Sequence, residues 1–97
     1  MAIYITHDRE ALSPSSATGF TAAKITTGYV VYARVQVKNA KCNYTVNGTT
    51  ATTSIGEEVE PGDTFEVWGS EDMGNFSIIE NGGTATVEVA YCGQGGG

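Results

Sequence analysis

Positive charge is scarce in this chain. Five lysines and arginines stand against eleven aspartates and glutamates, a formal net charge of −6 over 97 residues. Affinity for nucleic acid rests on cations that neutralise phosphates, and Arg9, Lys24, Arg34, Lys38 and Lys41 form no basic cluster. DNA and RNA are therefore not expected partners, and neither is an anionic bilayer. Long apolar runs are missing too: none approaches the roughly 18 residues of a transmembrane helix. Residues 1–8 lack a basic segment followed by a long apolar one, so no signal peptide is read and assembly in a cytoplasm is expected.

Groups that carry chemistry are equally few. His7 is the single histidine, and although Asp8 follows it, adjacent side chains on an extended segment point apart. A His7–Asp8 base acting on Cys42 or a serine is therefore not expected, and with no Gly-x-Ser-x-Gly elbow His7 reads as a surface residue and the chain as no enzyme. The cysteines, Cys42 and Cys92, lie 50 residues apart and fit no zinc spacing. A cross-strand disulfide is geometrically open to them, but in a reducing compartment free buried thiols are expected. Glu57, Glu58, Glu60 and Asp63 lack the spaced carboxylates and fixed glycine of a calcium loop, and read as a solvated acidic loop. No metal or cofactor is expected. The triplets beginning at Asn43, Asn47 and Asn75 match the glycosylation pattern, but without an export signal they read as coincidence in a threonine-rich chain.

What the chain does have is strand periodicity. From Ala33 onward, Ala33, Val35 and Val37 alternate with Arg34, Gln36 and Lys38, the signature of a strand with one dry and one wet face. Residues 84–91 repeat the pattern, with Ala85, Val87, Val89 and Tyr91 inward and Thr86, Glu88 and Ala90 outward. Further strands are expected at 2–6, 41–46 (Cys42, Tyr44 and Val46 inward, Asn43 outward), 64–68 and 75–80. Asn47-Gly48 signals a hairpin with an exposed return at 49–54, and Pro61-Gly62-Asp63 and Asn81-Gly82-Gly83 signal turns. Residues 20–26 read as a weak strand or a single helical turn, and 69–74 as a polar loop.

The polar run from His7 and the Ser13-Pro14-Ser15-Ser16 turn chemistry suggest a surface arm or long loop over residues 7–19. Residues 93–97 read as a flexible Gly-rich tail. Six or seven short strands with no convincing helix indicate an all-β chain, a single antiparallel β-sandwich or jelly-roll-like barrel spanning residues 1–92. By alternation Tyr32, and with it Trp68 at a strand end, falls on the outer face. With Arg9 in the arm and Phe20 just beyond it, they are the interface candidates, since aromatics and arginine are enriched at protein–protein contacts. Flat aromatics beside Asn and Asp also suit a carbohydrate-binding or host-attachment module.

Ser16-Ala17-Thr18-Gly19-Phe20-Thr21-Ala22-Ala23-Lys24-Ile25, Tyr44-Thr45-Val46-Asn47-Gly48-Thr49-Thr50-Ala51-Thr52, Glu60-Pro61-Gly62-Asp63 and Asn75-Phe76 before a closing strand together resemble small β-rich virion proteins of tailed bacteriophages. The resemblance covers most of residues 16–91 and consists of turn chemistry. It implies a structural role in capsid or tail. A decoration (cement) protein that sits on the major capsid protein or other virion proteins is the leading expectation, with a tail or adaptor subunit as the alternative. A homo-oligomer, a trimer among the options, would be expected, located in the virion.

Overall fold

The computed structural model describes residues 4–94 of the chain. Nearly half of them lie in seven strands: β1 (Tyr4–Leu12), β2 (Val30–Lys38), β3 (Cys42–Thr45), β4 (Glu57–Val59), β5 (Thr64–Trp68), β6 (Ser77–Glu80) and β7 (Thr86–Gln94). Two short helices, α1 (Ala22–Ile25) and α2 (Ser70–Asn75), interrupt them. The fold is all-β, in two antiparallel sheets. The larger has the order β1-β7-β2-β5 and the smaller β4-β3-β6.

The alternating valines place the core. Val35 pairs with Val89 on one side and Phe65 on the other, and Val37 pairs with Val87, so these side chains form one apolar face of the larger sheet. Ala33, Val35, Val37, Val87 and Tyr91 are fully buried, and Val89 nearly so. Aromatic rings bridge from this face to the smaller sheet. Phe20 stacks on Phe76 with centroids 4.2 Å apart and meets Tyr91 edge-on, and Tyr44 of β3 stacks on Phe65 of β5 at 4.2 Å. Ile78 of β6 and Met73 of α2 complete the same cluster.

Several expectations are corrected. The loop or arm expected at 7–19 begins only after Leu12: residues 7–12 continue β1, paired with β7 from Asp8↔Tyr91 to Leu12↔Val87. Asp8 and Glu10 fall on the inner side of this edge strand, which is why no apolar alternation marks it. Their charges are met there, Asp8 by Lys24 at 2.7 Å and Glu10 by the Thr21 hydroxyl at 2.7 Å and the Tyr91 hydroxyl. Residues 14–18 run along the edge of β6, through Glu80 N–H to the Pro14 carbonyl and reciprocal Thr18–Ile78 backbone bonds of 2.9 Å. Of the two readings of residues 20–26, the single helical turn is the one found, as α1. The expected polar loop at 69–74 is largely α2, whose one buried residue is Met73.

The return expected after Asn47-Gly48 also differs. Gly48 takes the positive φ of a turn, but residues 49–54 form a loop, and the strand that pairs with β3 is the later β4. Ala51 is nonetheless buried, and its N–H donates to the Ser77 hydroxyl at 3.1 Å. Asn43, expected outward, is buried: its side-chain amide donates to the Thr52 carbonyl at 3.1 Å and its oxygen accepts from Asn81 at 3.2 Å. A buried amide must be paired, and this one ties β3 to the 49–54 loop and to the turn after β6. It is also inaccessible as a glycosylation acceptor. Finally, β7 runs on through Gly93 and Gln94, which the Gly-rich tail was expected to contain; residues 95–97 of that tail lie outside the described residues.

Candidate interaction surface

The smaller sheet covers one face of the larger sheet, and the other face is open. Across its upper end runs a cross-strand row. Thr6 pairs with Cys92, Cys92 with Tyr32, and Tyr32 with Trp68. Register shifts in both strands flanking β7, between Thr6 and Asp8 and between Val30 and Tyr32, set this row. An extra residue in a strand re-aims the side chains beyond it: the β1 bulge brings Thr6 to the outward face that Tyr32 already shares with Cys92 by alternation, and the β2 bulge turns Val30 inward.

Gly93 is required where the bulges meet: a Cβ there would lie 1.7 Å from the Tyr29 carbonyl oxygen and 3.2 Å from the His7 ring. The His7 ring itself packs on Tyr29 at 4.6 Å, with Nε2 3.1 Å from the Gln94 carbonyl. His7 therefore shores up the bulge, in the other sheet from Cys42, and the two are not assembled into a catalytic pair.

Small residues in the centre let large ones lean over them. Trp68 and Tyr32 stack face to face at 4.2 Å, and Tyr4, on β1, meets Tyr32 edge-on at 5.8 Å and Trp68 at 5.5 Å. Trp68 remains 46% exposed and Tyr4 44%. The indole N–H donates to Glu66 at 3.0 Å, which fixes the ring upright at the sheet edge. Beneath the rings, the Cys92 thiol lies 3.7 Å from the Thr6 hydroxyl and donates to the Ala90 carbonyl at 3.7 Å. The neighbouring Cys92 side chain, and then partial burial, raise the Tyr32 phenol above its ordinary value, so it is uncharged at neutral pH.

One row down the sheet, Arg9 and Arg34 stand on either side of Ala90, each paired with it in register. With Gln36, Thr64 and Glu88 they border a shallow groove of about 210 Å³. Of the sequence candidates, then, Tyr32, Trp68 and Arg9 share one open face. Phe20 does not: it is a core residue at 9% exposure, clamped between Phe76 and Tyr91. Its neighbour in sequence, Gly19, packs so closely on the Phe76 carbonyl that a Cβ would lie 2.8 Å away, which turns Phe20 inward. Tyr4 and Arg34 were not singled out from sequence, although alternation alone puts Arg34 outward and Tyr4 opposite Ile3 and Ile5.

A second cleft, larger at about 390 Å³, opens between β3 and the 45–57 loop and is lined by Tyr44, Val46, Ile55 and Glu57 among others. Its carboxylate is already engaged, since Tyr44 donates to Glu57 at 2.8 Å. Burial, then that carboxylate, pushes the Tyr44 phenol up to about 12. Burial and Glu80 push the Cys42 thiol up to about 11, so it is no ready nucleophile. Glu58 is 3.7 Å from Lys41, and Asp63 accepts the Glu60 N–H at 2.8 Å, so the acidic segment does not converge on one point. Among the described residues no three His, Cys, Asp or Glu side chains are placed to hold a metal ion, and no helix is long and apolar enough to cross a membrane. Both cysteines are free and buried, one in each sheet. The chain matches no protein-family model, no curated protein and no solved structure.

Proposed function

We propose that this chain is a non-enzymatic structural protein of a bacteriophage virion, a decoration protein that stabilises the capsid shell by protein–protein contacts. The observation that carries the reading is the Tyr4–Tyr32–Trp68 cluster standing on an uncovered sheet face. Rings already held in mutual contact lose little rotamer freedom when a partner covers them, so their apolar area converts efficiently into binding. The two-sheet arrangement, read as a small β-sandwich of jelly-roll-like character, holds them on rigid strands rather than loops. The phage setting rests on the turn sequences of residues 16–91. Oligomers that bridge several capsid sites would gain avidity without further contacts. A place on the tail instead of the capsid would use the same face.

Mixing the purified chain with capsids that lack it tests the reading. Co-sedimentation is expected, with a higher capsid melting temperature, and Trp68→Ala should weaken both. No co-sedimentation, or capsids no more heat-resistant with the chain than without it, removes the proposal. The sugar-binding alternative is less well served by the geometry. Trp68 and Tyr32 stack on each other at 4.2 Å, so each hides a face that a pyranose ring would need. Binding on a glycan array that disappears in Trp68→Ala would reverse this preference.

A further inference from the structure

The open face differs in charge from everything else in the molecule. Its outward strand positions hold Arg9, Arg34 and Lys38 against Glu66 and Glu88, a net +1, leaving −7 for the remainder of a chain whose total is −6. Within the face the charges are unequally used. Lys38 lies 3.9 Å from Glu88, and Glu66 accepts the Trp68 indole N–H at 3.0 Å. Among the described residues neither arginine makes an ion pair, although Glu66 is the register partner of Arg34. Both of the chain's arginines thus flank one alanine, two strand spacings or roughly 10 Å apart at the backbone, with their guanidinium groups uncommitted.

Guanidinium groups bind carboxylates bidentately and give up hydration more easily than ammonium groups. The small Ala90 side chain leaves the groove between them open. Arg34 lies two residues from Tyr32 on the same face of β2, so the arginine row and the aromatic row are roughly 7 Å apart.

We propose that Arg9 and Arg34 form a carboxylate clamp, and that the open face takes an acidic extended segment of a partner protein. The carboxylate sits over Ala90, and an apolar side chain two positions away packs on Tyr32 and Trp68. This rests on the reading of the face as a protein-docking surface and adds the chemistry of the partner. Two positions along an extended chain span the same roughly 7 Å and return to the same side, so one strand satisfies both rows.

The probe is an acetylated peptide with Ser-Glu-Ser-Leu repeated twice, set against the same peptide with lysine for glutamate, titrated into the full chain at low ionic strength. The glutamate peptide is expected to shift the Arg9 and Arg34 Nε and Trp68 Nε1 resonances. Its affinity should fall at least tenfold in the R9Q/R34Q double variant and stay unchanged in Lys41→Gln, whose cation lies on the smaller sheet. Both arginines are exposed, so unchanged amide spectra should accompany the loss. Equal binding of the lysine peptide, or full binding by the double variant, overturns the clamp. So does salt-sensitive self-association abolished by the double variant, which would assign the face to a second copy of the chain. Capsid binding lost in Trp68→Ala but intact in the double variant would sink the clamp and leave the docking reading standing. Peptide binding without capsid binding would do the reverse.

Discussion

The two faces of the larger sheet are built from the same four strands and behave as different materials. Inward, Ala33, Val35, Val37, Val87, Val89 and Tyr91 are sealed by the smaller sheet. Outward, Thr6, Cys92, Tyr32, Trp68, Arg9 and Arg34 stand on the same backbone with no second sheet above them. The large rings, inside and out, do opposite work. Phe20, Phe76, Tyr44 and Phe65 link two sheets and carry stability, whereas the rings of Tyr4, Tyr32 and Trp68 stack only on one another, within one sheet. Aromatic character therefore does not distinguish core from surface in this chain; the presence of a second layer does.

The sharpest way to break the comparison is to delete one ring from the inner set. Phe76 is 4% exposed and touches Phe20, Tyr44 and Phe65. Phe76→Ala should cost about 3–5 kcal/mol, because the cavity lies between two sheets that cannot collapse onto each other without breaking register. Against a typical total of about 5–15 kcal/mol, that leaves a marginal protein. Urea denaturation should show a large fall in midpoint, and a loss below about 1 kcal/mol would mean the rings do not join the sheets.

Next in size is Gly93→Ala, which acts on the junction between the faces. The added methyl would meet the Tyr29 carbonyl at 1.7 Å, and backbone rather than a flexible side chain must move. A loss of about 3 kcal/mol, at the upper end for overpacking, is expected. Local opening should appear first as faster hydrogen exchange at Val30–Tyr32 and Thr6–Asp8, the two bulges. Unchanged exchange there would show that the crossing is looser than drawn.

These two sites also show what sequence could and could not disclose. Alternation located β2 and β7 and both of their faces, because a period of two survives wherever the inner positions are apolar. It failed for β1, where the inner positions are Asp8 and Glu10 and the apolar partner was replaced by Lys24, Thr21 and Tyr91. Asn43 defeated it for the same reason: a buried amide looks like a surface residue until Thr52 and Asn81 are seen around it. A six-residue helix with a single buried residue, Met73, carries no period at all. On the open face, Tyr32 and Trp68 were legible by parity, but their union with Tyr4 and Arg9 depends on bulges that leave no mark in a pattern of hydrophobicity. Phe20 was misplaced because one aromatic in a polar stretch says nothing about which side is covered.

Titration separates the regions more gently. Tyr44 belongs to the inner aromatic set, and its phenol is raised from 10.0 to about 12, by burial first and the Glu57 carboxylate second. A raised value favours the neutral form in the fold. Its contribution is thus complete below pH 10, where the unfolded phenol begins to ionise, and is lost as pH climbs toward 12. Stability measured by urea should decline across that window, and Tyr44→Phe should flatten part of the decline. An identical alkaline slope in the variant would place the effect elsewhere, Tyr91 being the nearest alternative since its phenol is also raised.

The smallest expected effect on stability is the one the functional proposal depends on. Trp68 is the largest side chain in the protein, yet at 46% exposure on an edge strand it loses only contacts to Tyr32, Tyr4 and Glu66 when truncated. Trp68→Ala should cost no more than about 1 kcal/mol, the scale of a cross-strand aromatic pair. At a docking interface, removal of a central aromatic anchor costs about 2 kcal/mol or more of binding. The two numbers must separate. If urea denaturation of the variant showed a loss as large as that of Phe76→Ala, the outer rings would be structural and the open face would have no claim to be a partner's seat. A variant that keeps its midpoint and loses the capsid fixes the division between the two faces as one between folding and binding.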